Sequence, residues 1–170
     1  MPFHADLLEQ AGFLARREPR RPRQASLRRA ISSAYYALFH MLASDATTLL
    51  PNQPAGLRQQ ARRVLSHSDM KSVCRQFSTG NIANLTAETA RLVVRHVEAE
   101  ISAVAKAFVD LQEARHRADY DLASPFARLE AVSLIEKAKK ALADWHRIRS
   151  KPNATLFLAA LLLQKHWKDR

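Results

Sequence analysis

The chain has 170 residues, a length that favours one domain with a sizeable buried core. Its 27 Lys and Arg against 16 Asp and Glu give a formal charge of +11, which draws polyanions because each neutralised phosphate releases counterions; a nucleic acid, an acidic protein partner and a plain basic surface all fit that charge. Three glycines in total exclude GxGxxG and Walker-type phosphate loops, and one cysteine, Cys74, excludes an intramolecular disulfide framework.

Ala, Leu, Arg, Glu, Lys and Gln fill long stretches, so intrinsic preference favours an all-α fold. The start, MPFHADLLEQ, lacks the basic end and apolar run of a secretory signal, and a reducing cytoplasm is the expected setting. Leu7, Leu8, Ala11, Phe13 and Leu14 fall at helical spacing, and Pro19 and Pro22 forbid continuation, so a first helix should end near Arg17. The connector over 15–29 holds Arg16, Arg17, Arg20, Arg21, Arg23, Arg28 and Arg29 against one acid, Glu18. It is the densest positive patch in the chain, either a phosphate-binding arm or a solvated loop.

Ser26 can cap a helix over 27–46, where Ile31, Ala34, Tyr35, Leu38, Met41 and Leu42 recur three or four apart. Pro51, Asn52, Pro54 and Gly56 predict a turn-rich loop. A third helical stretch should run from about Leu57 to Phe77, with a break at SHSD (66–69), where Ser and Asp favour caps. After a loop over 78–86, Leu92, Val93, Val97, Ile101, Val104, Ala105, Phe108 and Leu111 predict one long helix, or two collinear ones, to about Leu122. Ser124 and Pro125 should end it and open a helix over 125–148, with Phe126, Leu129, Val132, Ile135, Ala138, Leu142 and Trp145 inward. A last helix follows Pro152; its apolar run, 154–163, falls short of the ~20 residues that cross a bilayer, so it should pack in the core or a subunit interface. No membrane association is expected.

Chemistry concentrates in few places. The seven histidines show no metal-ligand spacing, so neither a metal nor another cofactor is expected. In EARHRADYDL (113–122), Arg115 and Asp119 are four apart on one helical face, and His116 and Tyr120 on the adjoining one. Read alone, Arg115 and Asp119 make a surface ion pair worth ~0.3–0.5 kcal/mol. Tyr36 and His40 repeat the pattern on the second helix, and His67 follows in SHSD. These residues suggest a shared polar cleft; as isolated features, His40 and His67 are semi-buried, hydrogen-bonded histidines.

Three segments in order, LRRAISSAYYALFH (27–40), SHSDMKSVCRQF (66–77) and RHRADYD (115–121), resemble the HEPN superfamily of small helical proteins. The nearest likeness is to a bacterial branch with Tyr-Tyr-Ala-x-Phe-His, Ser-His and Arg-x-x-Ala-Asp-Tyr-Asp segments, and it covers about residues 5–148. The resemblance implies an antiparallel helical bundle, here of about five to six helices. Residues 1–150 would form that domain, with 151–170 an apolar helix packed on it or in a homodimer interface. Many HEPN proteins are metal-independent endoribonucleases in which an Arg-x4-6-His motif holds the phosphate and moves protons. Others pair with a minimal nucleotidyltransferase in toxin–antitoxin modules, and some have lost catalysis.

The chain departs from the ribonuclease pattern, because Tyr120, Asp121 and Leu122 stand where the histidine after Arg115 is expected. The literal matches Arg62 to His67 and Arg91 to His96 occur at chance frequency. The expectation is an RNA- or nucleotide-binding protein, with a nucleotidyltransferase or antitoxin as possible partner. If it cleaves RNA, Arg115, Asp119, Tyr120, His40 and His67 are the candidate catalytic residues. Arg117, His116, Tyr36, Arg20, Arg21, Arg23, Arg28 and Arg29 are the candidate nucleic-acid contacts. The alternative is a non-catalytic module in which the Arg115, Asp119 and Tyr120 cluster is a packing node and the basic connector docks an acidic protein.

Overall fold

Helix accounts for every regular element in the computed structural model, which describes residues 1–50 and 55–168. The α-helices are α1 (Phe3–Arg16), α2 (Gln24–Ala46), α3 (Ala55–Val64), α4 (His67–Phe77), α5 (Ala87–Leu92), α6 (Ala99–Tyr120), α7 (Arg128–Ile148) and α8 (Pro152–Lys168). Short 3-10 turns occupy Thr47–Leu49 and Ile82–Asn84. The all-α class is thus observed, with eight α-helices among the described residues instead of five or six. The extra helices come from a separation of α3 from α4 at Leu65 and Ser66 and of α5 from α6 over residues 93–98.

Each separation has a local cause. Ser66 sits ahead of α4 with extended backbone, and its hydroxyl accepts the Asp69 N–H at 3.1 Å and donates to Asp69 Oδ2 at 2.6 Å, an N-cap that starts a new helix. The gap over 93–98 excludes one long helix, the first of the two arrangements expected there, and leaves two separate helices. There Arg95 adopts φ 64°, and the buried Asn153 side chain takes over the backbone groups. Its Oδ1 accepts from Val94 N–H at 2.9 Å, and its Nδ2 donates to the carbonyls of Val94 (3.0 Å) and His96 (2.8 Å).

Two further boundaries move. Ser26 lies inside α2, two residues past its start, and donates to Glu18 Oε1 at 2.9 Å. Pro125 and Phe126 precede α7 outside any helix, and Gln24 pairs with both backbone groups of Phe126: Oε1 accepts its N–H at 2.8 Å and Nε2 donates to its carbonyl at 2.9 Å. Pro51, Asn52 and Pro54 of the expected loop lie outside the described residues, and Gly56 is helical.

The chain divides into two compact units. The first comprises Met1–Met41 and Ala107–Leu142. Its core contains Leu27, Ile31, Ala118, Phe126 and Ala131, with Tyr35 and Phe108 edge to face at 5.5 Å. The apolar positions expected at helical spacing on α2 are all buried, whereas Phe13, at such a position on α1, and Leu129, expected inward on α7, are exposed. The second unit comprises Leu42–Lys106 and Ala143–Arg170. Here α8 packs on α4, with Phe157 5.0 Å from Phe77 and 5.8 Å from Trp145. Burial of Ala154, Leu156, Phe157, Leu158, Ala160 and Leu161 accounts for the apolar run of α8. No helix among the described residues is long and apolar enough to cross a membrane.

Candidate functional site

In the first unit, α2 and α6 bring together much of the chemistry singled out in the sequence. Tyr36 and Ser32 are one turn apart on α2, and Gln112, Arg115 and Asp119 follow one another by single turns on α6. Arg115 is the hub. Its Nη2 donates to the Tyr36 hydroxyl at 2.9 Å, and its Nε lies 2.7 Å from Asp119 Oδ2. The latter contact is an ion pair whose N–H is poorly aligned, so Nε is buried without a hydrogen bond. Asp119 uses its other oxygen to accept from the buried Ser32 hydroxyl at 2.7 Å. The guanidinium carbon sits 5.5 Å from the Tyr36 ring centre and 5.7 Å from that of Tyr120, within cation–π range of both. Partial burial works against the charge of Arg115, but Tyr36 and Asp119 outweigh it and hold the guanidinium above its ordinary pKa.

The aromatic surroundings extend the cluster on both sides. His40 stacks with Tyr36 at 6.0 Å, and Phe3 meets His40 edge-on at 5.0 Å. At the end of α6, His116 and Tyr120 have ring centres 4.9 Å apart, and Tyr120 is 66% exposed. Tyr35, by contrast, is fully buried core. Ser32 and Gln112 were not among the expected site residues. Their signal was a polar residue one turn before Tyr36 and Arg115, on faces otherwise buried. Gln112 Oε1 is buried with no hydrogen-bond partner, a second incompletely satisfied polar atom beside Arg115 in sequence.

The remaining polar residues of EARHRADYDL end the helix. Asp121 Oδ1 accepts the N–H groups of Ala123 (3.1 Å) and Ser124 (3.3 Å), a turn that stops α6. The Ser124 hydroxyl foremost, then these N–H groups and Arg28, hold the Asp121 carboxyl below the usual carboxylate range despite some desolvation. Arg117 pairs with Glu130 and lies 4.3 Å from the Phe126 ring centre.

Arg28 departs from the role expected of it. It is buried, with Nη1 donating to the carbonyls of Ala118 and Asp121 at 2.9 Å each and of Arg117 at 3.3 Å, and Nη2 to Ser124 at 2.9 Å. A cation here satisfies carbonyls that the helix end leaves open and meets the negative pole of its dipole. Arg28 is therefore a structural clasp, while Arg20, Arg21, Arg23 and Arg29 are exposed. Glu18 ties the connector down by accepting from Ser26 Oγ and, at 3.4 Å, from Arg23 N–H.

His67 opens α4 in the second unit, so the first unit holds two of the three expected walls and the second unit holds SHSD. Among the described residues no three His, Cys, Asp or Glu side chains gather in a way that would hold a metal ion. Compared with known proteins, the chain matches no protein-family model, no curated protein and no solved structure.

Proposed function

We propose that the protein is an HEPN-like RNA- or nucleotide-binding protein whose site is built on Arg115, Tyr36, Asp119 and Tyr120. The observation that carries this reading is the Arg115 guanidinium set against two tyrosine rings, one of them largely exposed. A planar, permanently charged fork beside an open aromatic face suits a phosphate and its neighbouring base. The exposed Arg20, Arg21, Arg23 and Arg29 would add phosphate contacts, and His116 and Arg117 lie on the same helix end.

Binding is favoured over cleavage. The Arg-x4-6-His ribonuclease pattern moves protons with an imidazole held within hydrogen-bond reach of the reacting group, and the residues five to seven beyond Arg115 supply none. Were the protein a metal-independent endoribonuclease toxin, His40, stacked on Tyr36, would be the proton carrier in this unit. A toxin–antitoxin or defence setting, a homodimer and a nucleotidyltransferase partner belong to the same proposal and rest on the resemblance of the three segments.

A second reading has its own support: Asp119 and the Tyr36 hydroxyl already engage Arg115, as in a packing node that docks a protein instead. Tyr120→Ala separates the two, because an exposed side chain can be removed with little effect on folding. The binding reading expects ~1–3 kcal/mol weaker capture of a single-stranded RNA in fluorescence anisotropy, the usual worth of one base–aromatic stack. Unchanged affinity would remove Tyr120 from the site, and RNA cleavage by the wild type in EDTA would replace the binding reading with the ribonuclease one.

A further inference from the structure

The second unit contains a cavity of about 500 Å³ lined by Ser44, Thr47, Thr48, Arg58, Gln59 and Arg62. We infer that this cavity is a phosphate-binding site, separate from the Arg115 cluster and independent of its proposed role. Arg58 and Arg62 are four residues apart on one face of α3. Two like charges at that spacing repel each other, and α3 carries no acid to offset them. Among the described residues Arg58 has no hydrogen-bond or ion-pair partner, and Arg62 has only the Ser44 hydroxyl, to which its Nη2 donates at 3.0 Å. Two exposed guanidiniums lining one open cavity present the planar forks that match phosphate oxygens.

The walls complete the chemistry. Ser44 accepts from Arg62, which leaves its own proton to donate, and Gln59 adds amide donors. Thr47 and Thr48 hydroxyls donate to the carbonyls of Ser44 (2.7 Å) and Asp45 (2.6 Å), which fixes this wall. The nearest acid in sequence, Asp45, is engaged elsewhere: its Oδ2 accepts from Trp145 Nε1 at 2.7 Å and lies 3.7 Å from Arg149 Nη1. The cavity therefore offers an anion two cations and several neutral donors. Its volume lies within the ~300–1,000 Å³ range of small-ligand sites, so a nucleotide phosphate and an RNA phosphate both fit.

The test uses the full chain in low salt with two probes, inorganic pyrophosphate and a short single-stranded RNA, read by titration calorimetry. Arg58→Gln with Arg62→Gln should weaken binding roughly tenfold or more, since charge-assisted hydrogen bonds are lost while helix preference is kept. Arg58→Lys with Arg62→Lys should recover part of that loss. Arg75→Gln with Arg91→Gln removes the same charge from exposed positions of this unit and should change binding by less than about threefold. Loss for pyrophosphate identifies a small phosphorylated ligand, and loss for RNA alone identifies the nucleic-acid backbone. Equal weakening by the two Gln pairs, or a wild type that binds neither probe, overturns the site. Tyr120→Ala should leave pyrophosphate binding intact, so failure here and failure of the Arg115 reading are distinguishable.

Discussion

Arg28 and Arg29 are neighbours in sequence with opposite surroundings, and they show how little a run of like charges reveals about any one member. Arg28 is folded against the carbonyls that close α6, whereas Arg29 is exposed. Arg28→Met should destabilise the protein by ~2–4 kcal/mol in chemical denaturation, because one buried and three part-buried carbonyls lose their donor at once. Arg29→Gln should leave stability within ~0.5 kcal/mol and act on RNA affinity alone. The reverse pattern would overturn both assignments. The sequence shows arginine density plainly, but the acceptors of Arg28 lie 89 to 96 residues away and no local pattern points to them. The pairing of Arg115 with Asp119 was legible, since it spans one turn of one helix; its bond to Tyr36, 79 residues distant, was visible only as two similar polar faces.

At the scale of elements, periodicity served well wherever a helix buries one side for its whole length. The inward face of α2 follows its three-and-four spacing, and most of the apolar run of α8 from Ala154 to Leu161 is buried, as its composition requires. The region 86–122 misleads because Val93 and Val97 keep the helical phase of Leu92 through a segment that is not helical. Hydrophobic phase is a local property, and the break is imposed by Asn153, 59 residues from Val94. Asn153→Ala should therefore cost ~1–3 kcal/mol, more than the weak intrinsic preferences it overrides, because backbone groups at 94 and 96 lose a buried partner. A thermal midpoint unchanged from wild type would show that solvent replaces those bonds freely.

For the whole molecule, a charge of +11 remains after all 16 acids are set against the 27 Lys and Arg, so basic side chains outnumber the acids that could pair with them. If the Arg115 cluster and the connector both meet RNA, the logarithm of affinity should fall linearly with the logarithm of salt, by ~0.7 for each phosphate contacted on a single strand. Replacing Arg20, Arg21 and Arg23 together should flatten that slope, while Tyr120→Ala should lower affinity and leave the slope nearly as it was. Affinity indifferent to salt would exclude the connector as a phosphate arm. Composition made the all-α class legible at once, since so few glycines and so much Ala and Leu leave little else. The arrangement in two units was not legible, because each unit is assembled from two stretches far apart in the chain.

The clasp around Val94 gives this chain an internal clock. Val94 has an exposed side chain in a segment outside any helix, where an amide proton would ordinarily trade with water quickly. Its N–H is instead held by a side chain at the start of α8 that is only 2% exposed. The isotope exchange rate of that one proton therefore reports how often the start of α8 lets go, a quiet local opening that no melting curve would resolve.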